Sequence, residues 1–349
     1  MIVLYLFAIV LLFVGIGCKR NGFYNDFLDK EQANAIKGFF ILTVVIGHVL
    51  KLLIELGYDV DARAMDSAAE WIHKDLKQLI VVMFLFYSGY GVMESIKSKG
   101  KEYLRSYPRK RLLTTLLNLD VAVVIFVVVS LMVGIAVTPK QFLLALVGWK
   151  TVGFSNWYIF VILCCYAITY ISFMAFGKKR NIAAIIVVLL TIVLAVALWI
   201  KKADQHWWYD TVMCYPAGLL YSLYKEKLVA FCHKYYWLLL CGLLALFVFL
   251  HLQKFIPPVR DIVFNLKSIV FALLIVQLTM KVKIGNKLLY WLGFLLFPIY
   301  IYHWLPLVAF SKIIGNTWIF DYTYLFVLLC LATTFVIVYF YKYWQIKLK

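Results

Sequence analysis

Charge is scarce in this sequence, and negative charge is the scarcer kind. Asp, Glu, Lys and Arg make up 15% of its 349 residues, with 17 acids against 35 bases, while 65% of the residues are hydrophobic. Soluble domains carry about 25% charged and about 45–50% apolar residues. One core cannot hide the excess, because a chain of this length still presents much of its surface to its solvent. That solvent must be lipid, which excludes a soluble fold. The net charge of +18 would suggest nucleic acid in a soluble protein. Here the bases sit in short gaps between apolar runs, as in cytoplasmic loops facing an anionic leaflet. No basic face or known module supports nucleic-acid binding.

Other absences narrow the reading further. The seven cysteines (Cys18, Cys164, Cys165, Cys214, Cys232, Cys241 and Cys330) are odd in number and lie mostly in apolar runs. They show no metal-ligand spacing and no disulfide framework, so they read as small buried apolar residues and no metal is expected. No internal repeat suggests the inverted halves of many transporters, and no second domain is visible. The apolar stretch Ile2 to Ile16 lacks a preceding positive charge, and Lys19 and Arg20 follow it. It is expected to be an uncleaved first helix rather than a signal peptide.

What is present is a series of apolar runs near the length of about 20 residues that a spanning helix needs. They fall near 1–17, 34–55, 79–96, 112–136, 157–176, 182–200, 210–224, 235–253, 263–280, 288–308 and 322–341. The segment 140–149 is apolar but too short to span and suits the interface. The expected fold is therefore all-α, a polytopic transmembrane helical bundle of about 10–11 spans in a single domain, with 1–17 as an extra N-terminal helix. Lys and Arg alternate sharply between gaps. One set, including 18–33, 97–111 and the tail 342–349, holds 22, and the other set holds 10. By the positive-inside rule the richer set is cytoplasmic, which places the C-terminus inside and, with eleven spans, the N-terminus outside. The longest gap, 57–78, carries Asp59, Asp61, Asp66, Glu70 and Asp75 and is expected to be a solvated outer loop.

Ionisable residues at membrane depth are functional candidates by default. The second span holds Lys37 and His48, 11 residues apart. At about 100° per residue they share a face to within about 20°, separated by about 16 Å along the axis. A histidine there suits a general base, and a lysine near the cytoplasmic mouth suits a phosphate-bearing ligand. The bland alternative is a snorkelling lysine and a histidine bonded to a neighbouring helix. The loop from Lys97 to Arg111 holds seven bases within fifteen residues, including Arg109. It is a candidate for lipid headgroups or for the phosphates of a cytoplasmic cofactor. Near the end, Pro298 can kink a span, and Tyr300 and His303 lie three apart on one face, beside Trp304. Glu94, Asn118 and Asp120 also lie in or near spans, each with a neighbouring base as its ordinary partner. Trp157 opens a span at the outer interface, where an aromatic belt is ordinary.

Together these residues resemble the acyltransferase family 3 membrane proteins, which O-acylate surface carbohydrates and related acceptors. That family opens its first core helix with a pattern like Leu-Asp-Gly-Leu-Arg-Gly, an apolar run and Gly-His. The stretch Asn34 to His48 is similar, with Lys37 in the place of the arginine. Phe84 to Tyr90 resembles Phe-Phe-x-Leu-Ser-Gly-Tyr. Tyr103-Leu104 and the basic stretch ending at Arg111 resemble the approach to the family's Arg-x-x-Arg. Asn156-Trp157-Tyr158 with Tyr166, Pro216 to Tyr221, and Leu292 to His303 resemble further segments. The similarity covers about 30–345. Lys37 keeps the charge of the arginine but loses its bidentate geometry. Thr114 stands where the second arginine would follow Arg111, and Leu296 and Phe297 replace a Ser-Tyr pair. No appended soluble acyl-carrying or hydrolase domain is expected.

The resemblance implies an O-acyltransferase of the cell (inner) membrane that moves an acyl group, expected to be acetyl, from cytoplasmic acyl-CoA to a hydroxyl. The implied acceptor is a cell-surface or lipid-linked carbohydrate. Acyl-CoA is a co-substrate, and no permanent cofactor is expected. His48 would be catalytic. Lys37, Arg109 and Arg111 would hold the donor's phosphates by charge-assisted hydrogen bonds. Trp157, Tyr300 and His303 would support the acceptor side, and Glu94 or Asp120 would orient His48. A glycan or lipid transporter or flippase is the alternative from another class, and a structural or sensory membrane protein is a third.

Overall fold

The computed structural model describes residues 1–59, 64–76, 78–153, 156–253 and 255–348. The first helix, α1 (Ile2–Phe13), leads into a short strand, β1 (Ile16–Cys18). Then come α2 (Lys30–Glu55), α3 (Ala64–Leu76) and α4 (Leu79–Tyr107), followed by a π-helical stretch (Pro108–Leu113), α5 (Thr114–Met132), α6 (Pro139–Leu146), α7 (Trp157–Phe176) and α8 (Arg180–Lys201). The rest comprises α9 (Cys214–Leu223), α10 (Lys225–Lys234), α11 (Tyr236–Leu252), α12 (Val259–Thr279), β2 (Val282–Ile284), α13 (Lys287–Phe294), α14 (Leu296–Tyr302), α15 (Trp304–Ile313), α16 (Asn316–Asp321) and α17 (Thr323–Phe340). The chain is an all-α polytopic bundle. β1 and β2 pair antiparallel and tie the segment after α1 to the one before α13.

Helix starts follow local chemistry. Asp29 caps α2 by accepting from the Gln32 amide at 2.7 Å. Thr138 caps α6 ahead of Pro139, and Asn286 caps α13 through the amides of Leu288 and Leu289. Such caps satisfy amides that the helix itself leaves open.

All eleven expected segments fall on helices. By length and composition, seven of the described helical runs suffice to cross a membrane, or eight if α10 and α11, bent by 98°, form one span. From Leu79 to Met132 the chain is helical except at Gly100. Drawn straight, that run would extend about 80 Å, against about 30 Å of hydrocarbon. Gly100 breaks it, at φ 54°, so α4 and α5 account for two expected segments in one run. α1, with 12 residues, and α9, with 10, are short for a crossing alone. The expected span over 288–308 is split, with turns at Leu295 and His303 separating α13, α14 and α15.

Two helix pairs set the frame, and glycines set their distance. At Gly38 of α2 a Cβ would lie 1.8 Å from the Leu289 carbonyl oxygen, and at Gly293 of α13 it would lie 1.8 Å from that of Asn34. Gly89 of α4 and Gly218 of α9 stand in the same reciprocal relation, each 2.0 Å from a facing carbonyl oxygen, of Tyr215 and Phe86. Lipid offers no hydrophobic drive between helices, so close backbone approach through small residues supplies the attraction.

The segment read as a solvated acidic loop is different in kind. Residues 64–76 form α3, and Asp66 is buried, accepting a 2.7 Å bond from the Tyr58 hydroxyl. Asp75 pairs with His251 of α11 at 2.9 Å. Composition suggested solvent because acids dominate the segment. The structure instead gives these two acids partners on other elements. Asp61 lies outside the described residues.

Candidate active site

α2 is unbroken from Lys30 to Glu55, so Lys37 and His48 keep the helical spacing that puts them on one face. His48 meets the turn between α14 and α15. Its Nδ1 lies 2.7 Å from Nε2 of His303. The ring planes are 6° apart and the centroids 5.0 Å, which makes this an edge-to-edge bond within the ring planes. His303 is buried, and its Nδ1 lies 2.9 Å from the carbonyl oxygen of Ile299.

That carbonyl fixes the order of the protons. It can only accept, so His303 Nδ1 carries a hydrogen and donates it. In a neutral ring Nε2 of His303 then accepts. His48 must donate from Nδ1, which leaves its Nε2 with a lone pair and, among the described residues, no hydrogen-bond partner. The second nitrogen's bond sets which ring nitrogen is basic.

The surroundings of this pair are aromatic. The Trp304 ring lies 5.1 Å from that of His48, and its Nε1–H is buried without an acceptor among the described residues. A buried donor left unpaired costs about 1–3 kcal/mol, which makes it a feature to be accounted for. Tyr300 stacks at a tilt on Tyr158, with centroids 5.2 Å apart, and stands 6.4 Å from His303. Tyr158 shares a hydrogen bond with Ser88 of α4. Trp157, expected on the acceptor side, is buried edge-on to Tyr158. Gly47 admits a third histidine, since a Cβ there would lie 2.4 Å from Nδ1 of His73 on α3.

About 16 Å back along α2, the site is cationic. Lys37 and Arg111 are both partly buried and close enough to repel each other electrostatically. Arg111 Nε donates to the Tyr103 hydroxyl at 3.2 Å, and its guanidinium lies 5.9 Å from the Tyr166 ring. Arg109, paired with Arg111 in the sequence reading, is exposed, as are Arg105 and Lys110. The π-helical stretch spaces side chains differently from an α-helix, and of this run's arginines it turns Arg111 inward.

Two expectations need correction. Glu94 accepts from Lys97 Nζ at 2.9 Å and from Ser222 Oγ at 2.7 Å, and it does not bond His48. Asp120 does not bond it either, and its Oδ1 is buried without a partner among the described residues. The residue that orients His48 is His303. Sequence reasoning placed His303 only on the acceptor side and gave no role to His73, Tyr158 or the Trp304 N–H. The Tyr-x-x-His-Trp run over 300–304 marked the place. Asn118 also takes a different role, accepting from Tyr341 at 2.9 Å and from the Ile346 amide at 3.0 Å, which fastens the C-terminal tail to α5.

No curated protein and no solved structure matches the chain. A family model described as an acyltransferase domain matches residues 30–342, which include the glycine-packed helix pairs, Lys37, Arg111 and the two bonded histidines. With nearly the whole chain covered by that match, the protein belongs to acyltransferase family 3 and is a membrane acyltransferase.

Proposed function

We propose that this acyltransferase moves an acetyl group from acetyl-CoA to a hydroxyl of a cell-surface or lipid-linked carbohydrate, with His48 as the general base. The observation that carries this reading is the ordered pair His48–His303, which leaves a basic nitrogen at His48 Nε2. The acceptor O–H gives its proton to that nitrogen as its oxygen attacks the thioester carbonyl. The carbonyl oxygen becomes an oxyanion, and the buried Trp304 Nε1–H, without a partner among the described residues, is a donor that can stabilise it. The C–S bond then breaks, and the leaving thiolate takes the proton back from His48. The products are the O-acetyl ester and CoA.

Lys37 and Arg111 hold the donor's phosphates at the other end of α2, so that its flexible arm runs along the helix face towards His48. Tyr158, Tyr300 and Trp157 wall the acceptor side. The Lys and Arg distribution supports a cytoplasmic donor site and C-terminus, with the protein in the cell inner membrane.

The test supplies labelled acetyl-CoA to membranes carrying the native protein or His48→Ala, matched for folded protein. Label in lipid-linked or polymeric sugar is expected with the native protein and absent with the variant. Equal labelling by both would remove His48 from the chemistry.

A further inference from the structure

The corner between α10 and α11 lies outside the residues proposed for acyl transfer. The two helices bend by 98° at Tyr235, and the corner borders an open pocket of about 350 Å³. Phe23, His233, Lys234, Tyr236, Trp237 and Lys281 line it, and the lining holds no carboxylate. Its cations are held against rings. Lys281 Nζ lies 4.9 Å from the Phe23 centroid, 5.3 Å from that of Tyr236 and 5.8 Å from that of Trp237. Phe23 stacks on His233 at 4.0 Å, and Lys234 lies 5.1 Å from the Tyr235 ring. An aromatic face steadies an ammonium group without cancelling its charge. Lys281 uses one of its hydrogens on the Arg20 carbonyl at 3.0 Å, which leaves two for an anion. A second pocket of about 370 Å³, at the starts of α2 and α13, is a contrast. There Asp29 and Glu31 offset Lys30 and Lys287.

The helix leaving the corner indicates which anion. Only two of the 17 residues of α11 are buried. Trp237 and Leu238, on the pocket rim, are 65% and 72% exposed, and Leu252 at the far end is 68% exposed. The apolar surface of α11 therefore starts at the pocket and runs into the lipid. A water-soluble phosphate has no use for that surface, whereas a phospholipid uses both parts. We infer that the corner binds an anionic phospholipid, with its phosphate between Lys234 and Lys281, its headgroup among the rings and its acyl chains along α11. Indole and phenol rings favour this depth of the bilayer, and basic pockets between spans suit anionic headgroups.

The experiment uses the full chain purified in detergent with equal phosphatidylglycerol and phosphatidylcholine. Native mass spectrometry reads the ratio of the two lipids retained on the folded monomer, so loss of folded protein does not alter the reading. Lys281→Gln is expected to lower the phosphatidylglycerol ratio about fivefold, and Lys234→Gln with Lys281→Gln about thirtyfold. The control, Lys178→Gln with Lys179→Gln in the loop before α8, should keep the native ratio. An unchanged ratio in the pocket variants overturns the assignment, and so does an equal fall in the control. Added coenzyme A or inorganic phosphate should leave the lipid in place. Displacement by either would give the pocket to a soluble phosphate and overturn the lipid assignment. Because the readout is lipid, the result stands apart from the fate of the acyl-transfer proposal.

Discussion

At one end of the site Lys37 lies within electrostatic reach of Arg111, which is held by tyrosines, and both cations are partly exposed. At the other end His48 meets a buried His303 whose protons are ordered by a backbone carbonyl. Both ends are read from one face of α2, yet they are built for different work. The first carries positive charge and donors, which suits holding an anion. The second is a neutral pair in which one nitrogen is left free to take a proton. On the proposed mechanism, binding and chemistry are separated along a helix by about 16 Å, and variants at the two ends should divide between KM and kcat.

The largest effect belongs to the histidine end. His48→Gln keeps a polar side chain but supplies no base, and kcat for acyl transfer is expected to fall about 10²- to 10⁴-fold. The KM for the acyl donor should stay near the native value, and a matching rise in KM would merge the two ends into one. His303→Phe removes the acceptor that orders His48 and should lower kcat by a smaller factor, again with donor KM unchanged. Steady-state kinetics at saturating donor checks both.

Next comes the frame that holds the ends in register. A Cβ at Gly38 would meet a carbonyl oxygen of α13 at 1.8 Å, and backbone cannot swing aside as a flexible side chain can. Gly38→Val should therefore destabilise the protein by at least the roughly 1–3 kcal/mol typical of overpacking. Thermal unfolding in detergent reads it. Gly242→Val is the control, because a Cβ there meets nothing within 4 Å. Equal melting of the two variants would deny that α2 and α13 are set by close approach.

The cationic end should respond more mildly and through binding. Arg111→Ala removes an inward guanidinium and is expected to raise the donor KM about 10- to 100-fold, the range of a hydrogen bond to a charged group. Arg109→Ala removes an exposed one and should leave KM within about twofold. The reverse ranking would mean that the inward turn of the π-helical stretch does not set the donor site.

Much of this was legible in the chain because lipid demands long apolar helices, and a regular helix fixes which residues share a face. That is why Lys37 and His48 could be paired from spacing alone. Arg109 and Arg111 could not be told apart, because a π-helical stretch breaks the 3.6-residue period on which such reasoning rests. The partner of His48 was hidden by distance, 255 residues along the chain. A carboxylate was the natural guess, but Glu94 is committed to Lys97 and Ser222. α3 was hidden by composition. Its acids suggested solvent, yet Asp66 is buried on Tyr58, and the same helix brings His73 against Gly47.

The smallest effect separates an exposed charge pair from the buried neutral one. Lys283 of β2 bonds Asp26, and that hydrogen bond holds the Asp26 carboxyl below the usual carboxylate range. A carboxyl whose pKa is depressed by folding stabilises the protein above its unfolded value of about 3.9, and the contribution is lost as pH falls through the folded value. Asp26→Asn should accordingly melt slightly below the native protein at neutral pH, with the gap closing in acid. The pair is partly open to solvent, so added salt should also narrow the gap. The His48–His303 bond joins neutral rings, so salt has no net charge to screen there. If salt lowered kcat in native protein as much as it narrowed the Asp26 gap, the histidine pair would carry charge, and the neutral proton order deduced for it would fail.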